Sequence, residues 1–477
     1  MAAPAKNKIF WGSLVHSKTL DELEYLHDTA VAVDAAGKMV AIEQGAGDVA
    51  KAVETLLPRL GWAEADVDVV KAKDGQFFFP GFIDTHLHAS QYPNVGIFGN
   101  STLLDWLNTY TFPLEASLSD PAKARKVYNR VIRKTLSHGT TCAAYYATVD
   151  VASTNLLADL CLAAGQRALI GRVCMDQLSP AYYRDESPAA ALAATRASIA
   201  YIESVDPGMK LVRPCLTPRF APSCSGPLMR GLGALAAERP DLPIQTHISE
   251  NKNEIALVHE LFPPSSTGAA DDSYASVYDA FGLLTDRTIL AHAVHLGEAE
   301  ADLIATRGAK VSHCPCSNSA ITSGAARIRW LLDKGVCCGL GTDMSGGYSP
   351  SVLEAARLAA LVSRHVAMGG DEHAKLTVEE VLFLATKGGA EVVGLQREVG
   401  GFAVGMDWDV QLVGLGTVDA EGGVEGVAEG TEEDGNVDVF GWESWPDRVA
   451  KWVYNGDDRN TKKVWVRGRL VHERIHS

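Results

Sequence analysis

Two histidines separated by one residue, His86 and His88, end an apolar run that reads PGFIDTHLH. Residues two apart on an extended strand point to the same face, so both imidazoles can approach one metal ion. Further along the chain, His247 and Asp343 close the runs of similar character in HISE and GLGTD. Imidazole and carboxylate ligands suit zinc, and a catalytic site keeps one coordination position open for water. We therefore predict one metal ion with four protein ligands, namely His86, His88, His247 and Asp343.

Two further titratable residues could move or hold protons beside such a metal ion. Glu250 follows His247 by three residues, which takes it off the run and into a loop, where it can exchange protons instead of binding the metal. In the run TILAHAVHL, either His292 or His295 can hold the attacking water by a hydrogen bond. Residues three apart on a strand face opposite sides, so only one of the two points inward, and we favour His292. The predicted catalytic groups are Glu250, His292 and Asp343.

These residues belong to a series of eight apolar runs that are separated by segments of helix length. The runs read FFFPGFIDTHLH, TTCAAYYA, ALIGRVCM, LVRPCLTPRF, PIQTHISE, TILAHAVHL, KVSHCPCSN and CCGLGTD. Strands that alternate with helices indicate a parallel sheet, and eight such units favour an α/β fold of the (β/α)8 barrel type. The carboxyl ends of barrel strands form one rim, so the polar residues that end the runs should meet there.

The two ends of the chain show a different pattern of short β-like runs. Such runs occur before Gln76, with a hairpin turn at 36–37, and return after about Gly388. We therefore expect residues 1–76 and 389–477 to form together one small discontinuous β-sandwich domain. Residues 77–388 are expected to form the barrel, which carries the metal site.

Composition and charge exclude several classes of function. The net charge of −16 is concentrated, because residues 407–447 contain twelve carboxylates and no Lys or Arg. Within this stretch, residues 418–438 are rich in Gly and acidic residues, so we expect a mobile acidic insert. No basic patch with interleaved aromatic residues favours nucleic acid, and no apolar stretch approaches the length that a membrane helix needs.

The chain's start and its cysteines indicate the compartment. The first residues, MAAPAKNKIF, lack the apolar core of a secretory signal. Nine scattered cysteines without a repeating spacing argue against a disulfide framework, and a single Cys-x-Cys at 314–316 is weak evidence for a metal site. We expect a soluble cytoplasmic protein with reduced cysteines.

A resemblance to a known family rests on motifs that span nearly the whole chain. PGFIDTHLH, HISE, AHAVH, SHCPCSN and GLGTD together resemble the amidohydrolase superfamily, in the branch that uses one metal ion to deaminate ring-bound amines. A second set in the same order, HASQYPN, LLDWLNTYTFPLE, TPRFAPSC, GTDMSGGYS and NGDDRN, resembles the guanine deaminase family within that branch. The likeness runs from about Gly12 to His472, and the acidic insert is its main departure.

The resemblance implies a reaction, a cofactor and a substrate pocket. It implies one Zn²⁺ per subunit, a homodimer, and hydrolytic deamination of guanine to xanthine and ammonia. Gln91, Arg219 and Phe220 match positions that hold the purine, together with His247, Glu250 and Asp343. Two alternatives remain: a related amidohydrolase that deaminates another purine, a pterin or a triazine, and a non-catalytic scaffold of the same fold.

Overall fold

The computed structural model describes residues 6–418 and 436–474. Most of the acidic insert predicted at 418–438 therefore lies outside the described residues. The strands, numbered in chain order, are β1 Asn7–Ser17, β2 Leu23–Val33, β3 Met39–Glu43, β4 Val67–Lys71, β5 Gln76–Pro80, β6 Phe82–His88, β7 Thr140–Tyr146, β8 Arg167–Cys174, β9 Val212–Pro218, β10 Ile244–Ile248, β11 Thr288–His292, β12 Lys310–His313, β13 Cys338–Leu340, β14 Val410–Gly414, β15 Gly416–Thr417, β16 Asp438–Val439, β17 Thr461–Val466 and β18 Arg469–Glu473.

Helices follow most of the strands in the central part of the chain. They are α1 Val49–Leu60, α2 Leu103–Trp106, α3 Phe112–Ala116, α4 Pro121–Ser137, α5 Val151–Ala164, α6 Pro188–Val205, α7 Gly226–Glu238, α8 Lys252–Leu261, α9 Pro264–Thr267, α10 Tyr274–Ala280, α11 Glu298–Arg307, α12 Pro315–Ala320, α13 Ile328–Asp333, α14 Val352–Met368, α15 Val378–Ala385, α16 Lys387–Val392 and α17 Trp445–Asn455. Within the described ranges, no helix combines the length and the apolar character needed to cross a bilayer.

Strands β6 to β13 form a parallel barrel in sequential order. Strands β6, β7 and β8 are buried along their whole length, because helices cover their outer face and the barrel interior covers the other. Main-chain hydrogen bonds close the ring between β6 and the loop after β13. The Asp343 amide donates to the His86 carbonyl (2.9 Å), and the His88 amide donates to the Met344 carbonyl (3.1 Å). The (β/α)8 barrel predicted from the eight apolar runs is confirmed.

The second sheet contains strands from both ends of the chain. Its order is β18, β17, β14, β5, β1, β2, β3, and β4 pairs with β1. Antiparallel pairing of β5 with β14 joins the two parts of the chain. Phe10 and Trp408 stack in its core with ring centroids 4.3 Å apart. The sheet formed by both chain ends, which the sequence predicted, is therefore present beside the barrel.

A buried arginine connects the barrel with this sheet. Arg167 starts β8 and its side chain is only 1% exposed. Its Nε donates to Asp409 Oδ2 (3.0 Å) and its Nη2 to Asp407 Oδ2 (2.8 Å), both just before β14. The guanidinium thus compensates two carboxylates that water does not reach.

We expect Arg167→Met to lower the free energy of unfolding by about 3–5 kcal/mol, because it leaves the buried Asp409 carboxylate without its ion-pair partner, whereas Asp407 keeps its ion pair with Lys38. Urea denaturation measures the change, and Arg397→Met, at an exposed arginine, is the control. Equal stability of the Arg167 variant and the wild type would show that the two carboxylates do not depend on this ion pair.

Candidate active site

The four predicted metal ligands lie together inside the carboxyl-terminal rim of the barrel. His86 Nε2 is 3.2 Å and His88 Nε2 is 3.5 Å from Asp343 Oδ1. The Nε2 atoms of His88 and His247 are 3.3 Å apart. His86, His88 and Asp343 are buried and His247 is half-buried, and their donor atoms face one another across a small space.

The protonation of the histidines fits a metal ion at this point. His247 Nδ1 donates to the Arg219 carbonyl oxygen (2.6 Å), which leaves the lone pair on Nε2. The Nε2 atom of His86 is buried and has no hydrogen-bond partner among the described residues. Burial lowers the pKa of His86, His88 and His247, so that the rings stay neutral and can act as ligands. Converging neutral imidazoles beside a carboxylate form a donor set that zinc prefers.

Two aspartates with different surroundings, Asp84 and Asp343, lie where β6 meets the loop after β13. Burial raises the pKa of Asp84 to about 7, and its carboxyl accepts from the Thr342 amide (3.0 Å) and hydroxyl (2.6 Å). Burial also acts to raise the pKa of Asp343, but His86 and neighbouring imidazoles outweigh it and lower the pKa to about 2. Asp343 is therefore anionic, and Asp84 positions Thr342, the residue that precedes it.

The backbone turns sharply where three strands reach the site. Ser249, His292 and Asp343 have φ values of 49°, 74° and 44°, in the left-handed region that residues with a Cβ rarely adopt. Such a conformation costs on the order of 1–3 kcal/mol at each position, and it typically persists where the surrounding structure holds it for function. Each of the three follows or ends a barrel strand, so the strain coincides with the predicted site.

Glu250 lies beside this cluster, in the short loop between β10 and α8. A capping box at the start of α8 fixes its backbone, because Glu254 Oε2 accepts from the Glu250 amide (2.9 Å) and the Asn251 amide (3.1 Å). The Glu250 carboxyl accepts from the Ser323 hydroxyl (3.0 Å) and lies 3.5 Å from His292 Nε2. Burial raises its pKa to about 7, which suits a group that both takes and gives protons at neutral pH.

His292 and His295 have different positions. His292 ends β11, where its Nδ1 is 2.9 Å from Asn318 Oδ1 and its Nε2 is 3.8 Å from Asp343 Oδ2. The strand ends there, so His295 is not on a strand and strand alternation does not decide which way it points. His295 turns away and its Nε2 lies 2.8 Å from the Ser323 carbonyl oxygen. Of the two, His292 is the one near the ligand cluster.

A cavity with about 390 Å³ of empty space opens onto the cluster. Every predicted site residue except His86 lines it. The lining residues are His88, Gln91, Leu103, Trp106, Leu107, Arg219, Phe220, His247, Glu250, Glu254, His292, Ile321 and Asp343. The wall beside the His and Asp cluster is therefore polar. Another wall is apolar and consists of Leu103, Trp106 and Leu107, from the segment after β6.

A carboxylate that the sequence analysis did not single out holds the predicted purine-binding residues. Glu115 Oε1 accepts from Gln91 Nε2 (2.8 Å), and Glu115 Oε2 accepts from Arg219 Nη1 (2.6 Å). Its only signal in the sequence is a charge at the end of the apolar segment LLDWLNTYTFPLE. Phe220 borders the same cavity, with its ring centroid 6.4 Å from that of His247.

Comparison with known proteins agrees with this arrangement. The chain matches the Amidohydrolase family over residues 77–471. It is 48% identical over 464 residues to the probable guanine deaminase of Schizosaccharomyces pombe, covering 97% of this chain and 83% of the relative. It is 37% identical over 472 residues to human guanine deaminase, covering 98% of this chain and 97% of the relative.

A solved structure is also similar to this chain. The crystal structure of guanine deaminase from C. acetobutylicum, with guanine bound in the active site, superposes with a TM-score of 0.82 at 31% identity, covering 98% of this chain and all of that one. The family resemblance predicted from the motifs is confirmed.

Proposed function

The chain belongs to the amidohydrolase family, and from that premise we propose that it is a metal-dependent guanine deaminase, which hydrolyses guanine to xanthine and ammonia. The observation that carries the proposal is a single cavity. It is lined both by members of the His and Asp cluster and by Arg219 and Gln91, which both bind Glu115. The first half of this site supports hydrolysis, and the second half supports recognition of a purine with a carbonyl group.

The ligands in this proposal are His86, His88, His247 and Asp343. These four side chains would hold an ion of the zinc type, which would lower the pKa of a water molecule to about 7 and so supply a nucleophile at neutral pH. Burial in the cluster keeps the imidazoles neutral for this role. We propose Zn²⁺ because this donor set suits it, and elemental analysis of the purified protein tests the identity of the metal.

Three side chains divide the remaining chemistry between them. His292 Nε2 and Asp343 Oδ2 orient the attacking water by hydrogen bonds. Glu250 takes a proton from this water and delivers it to a ring nitrogen next to C2, which makes that carbon electrophilic. After the water oxygen has bonded to C2, Glu250 takes the second proton of that oxygen and passes it to the amine. The C2–N bond then breaks, ammonia leaves, and the oxygen becomes the carbonyl of xanthine. This use of a glutamate that does not bind the metal parallels the zinc nucleobase deaminases.

The proposed function is tested by ammonia release from guanine, adenine, cytosine, guanosine and 8-oxoguanine. We expect guanine to be by far the best substrate. Equal rates for adenine and guanine would contradict the substrate assignment, and a complete lack of turnover in protein that contains its metal would favour the scaffold alternative.

Arg219 gives the proposal a second test, because its guanidinium has donors only. It can pair with the carbonyl oxygen at position 6 of guanine but meets a donor at that position in adenine. We expect Arg219→Leu to lower kcat/KM for guanine by about 10- to 100-fold, the loss of one charge-assisted hydrogen bond.

Steady-state ammonia release measures this change, with Arg397→Leu, at an exposed arginine, as the control. Metal content should not change. Activity within a factor of about two of wild type, in folded protein, would show that Arg219 does not read the purine.

Assembly and location complete the proposal. The resemblance to guanine deaminases supports a homodimer in the cytoplasm that acts on a small purine, without a nucleic-acid or membrane partner. Light scattering of the purified protein tests the dimer, and cell fractionation tests the location. The domain limits at 76/77 and 388/389 likewise stay a prediction.

A further inference from the structure

Glu115 is a fully buried carboxylate, with no exposed surface, on the short helix α3. It accepts hydrogen bonds from four side chains. These bonds come from Arg219 Nη1 (2.6 Å) and Nη2 (3.3 Å), Tyr183 Oη (2.7 Å), Gln91 Nε2 (2.8 Å) and Ser90 Oγ (3.3 Å). A buried carboxylate with this many donors is held in one orientation, and it holds its donors in turn.

The contact with Glu115 fixes which end of the Gln91 amide faces the cavity. An ionised carboxylate only accepts hydrogen bonds, so Gln91 must present its NH2 group to Glu115. The Oε1 atom of Gln91 is buried and has no hydrogen-bond partner among the described residues, and Gln91 lines the cavity. Gln91 therefore offers an acceptor to a ligand. A buried acceptor without a partner costs about 1–3 kcal/mol, so its presence points to a donor supplied by the ligand.

The contact with Arg219 sets the charge and the direction of the neighbouring group. Two nitrogens of the guanidinium bind the carboxylate, and Phe112 lies against it with 5.2 Å between the ring centroid and Cζ. The ion pair is neutral as a whole, and the guanidinium keeps further N–H groups for a ligand in the cavity. The pocket therefore carries a donor and an acceptor side by side, without net charge.

We propose that Glu115 is a positioning residue that determines the purine preference of this pocket. It holds Arg219 as the donor and Gln91 as the acceptor, the pattern that complements the adjacent carbonyl oxygen and N1–H of guanine. A purine with an amine at position 6 presents the reverse pattern, a donor beside an acceptor. The inference rests on the proposed function. It assigns to Glu115 the preference for purines that carry a carbonyl group at position 6.

The test compares two substrates that share an amine at position 2 but differ at position 6. Guanine carries the carbonyl and 2,6-diaminopurine carries an amine. We expect Glu115→Gln to lower the ratio of kcat/KM for guanine to that for 2,6-diaminopurine by about 10- to 100-fold, because the glutamine side chain no longer fixes either partner. The loss should appear mainly in KM, since Glu115 acts on binding and not on the reacting carbon.

Two further variants keep the test decisive. Glu380→Gln is the matched control, because Glu380 is also a buried carboxylate paired with an arginine, Arg329, but lies away from the cavity. It should leave the ratio unchanged. Gln91→Met removes the acceptor that Glu115 orients and leaves the ion pair of Arg219 with Glu115 in place, so it should lower the same ratio even if the Glu115 variant fails to fold.

The outcomes separate this inference from the proposed function. Wild-type protein that releases no ammonia from guanine would refute the function itself. An active wild type whose preference for guanine survives Glu115→Gln in folded protein would refute only the role of Glu115, whatever the ratio in Gln91→Met. If Glu115→Gln does not fold, an unchanged ratio in Gln91→Met alone would refute it. In the combined variant we expect less than the sum of the two losses, because the residues act through one contact.

Discussion

Replacing His247 by alanine is expected to abolish guanine turnover and to release the metal ion. His247, near the end of β10, has its Nε2 3.3 Å from His88 Nε2, and its ring is held by the hydrogen bond from Nδ1 to the Arg219 carbonyl oxygen. Three remaining ligands bind a metal ion too weakly and in the wrong geometry. The measurement is metal per chain by elemental analysis, together with the rate of ammonia release.

A histidine on the following helix provides the control for this variant. His259 is exposed on α8, and His259→Ala should keep both metal and activity. A melting curve shows whether the His247 variant is folded. Stoichiometric metal with a normal rate in that variant would remove His247 from the set of ligands.

We expect Glu250→Gln to retain its metal while losing a factor of about 10²–10⁴ or more in rate. Glutamine has nearly the same shape as glutamate, and its Oε1 can still accept from the Ser323 hydroxyl. It cannot take up the proton of the attacking water or pass it to the ring. The variant should therefore keep the metal content of the wild type while its kcat is strongly lowered.

The matched control for this variant is Glu260→Gln, an exposed glutamate on α8. It should behave as wild type in both measurements. Loss of metal together with loss of rate in Glu250→Gln would instead make Glu250 a ligand, and the division of roles proposed here would be wrong.

The barrel and the convergence of its polar residues were predictable because both depend on local patterns. Each of the eight runs is a short apolar segment with its polar residue at the carboxyl end, and parallel strands place those ends on one rim. His86 and His88 on β6, and His247 on β10, follow from this rule. Their roles as ligands stay a proposal, but their meeting point needed no knowledge beyond the order of strands and helices.

Contacts between distant residues were not predictable in the same way. Glu115 meets Gln91 and Arg219, which are 24 and 104 positions away along the chain. No periodic pattern connects them, because the segment after β6 returns over the barrel mouth through short helices and one π-helical turn. The choice of His292 over His295 was made from strand alternation, but β11 ends at His292, so the turn after the strand, and not alternation, directs His295 away from the cluster.

The sheet built from both chain ends has a consequence for the order of events during synthesis. Strand β5 pairs with β14, and Gln411 and Pro80, which share a hydrogen bond there, are 331 positions apart. At roughly 5–20 residues per second, a ribosome needs about 17–66 s to make the partner strand after β5 has been made. During that time β5, with its phenylalanines, lacks its β14 partner, while all eight barrel strands are synthesised before β14. The nascent barrel can therefore assemble ahead of the sheet. Strand β14 then pairs with β5 and covers the edge of that strand, which has no partner on this side until β14 has been made.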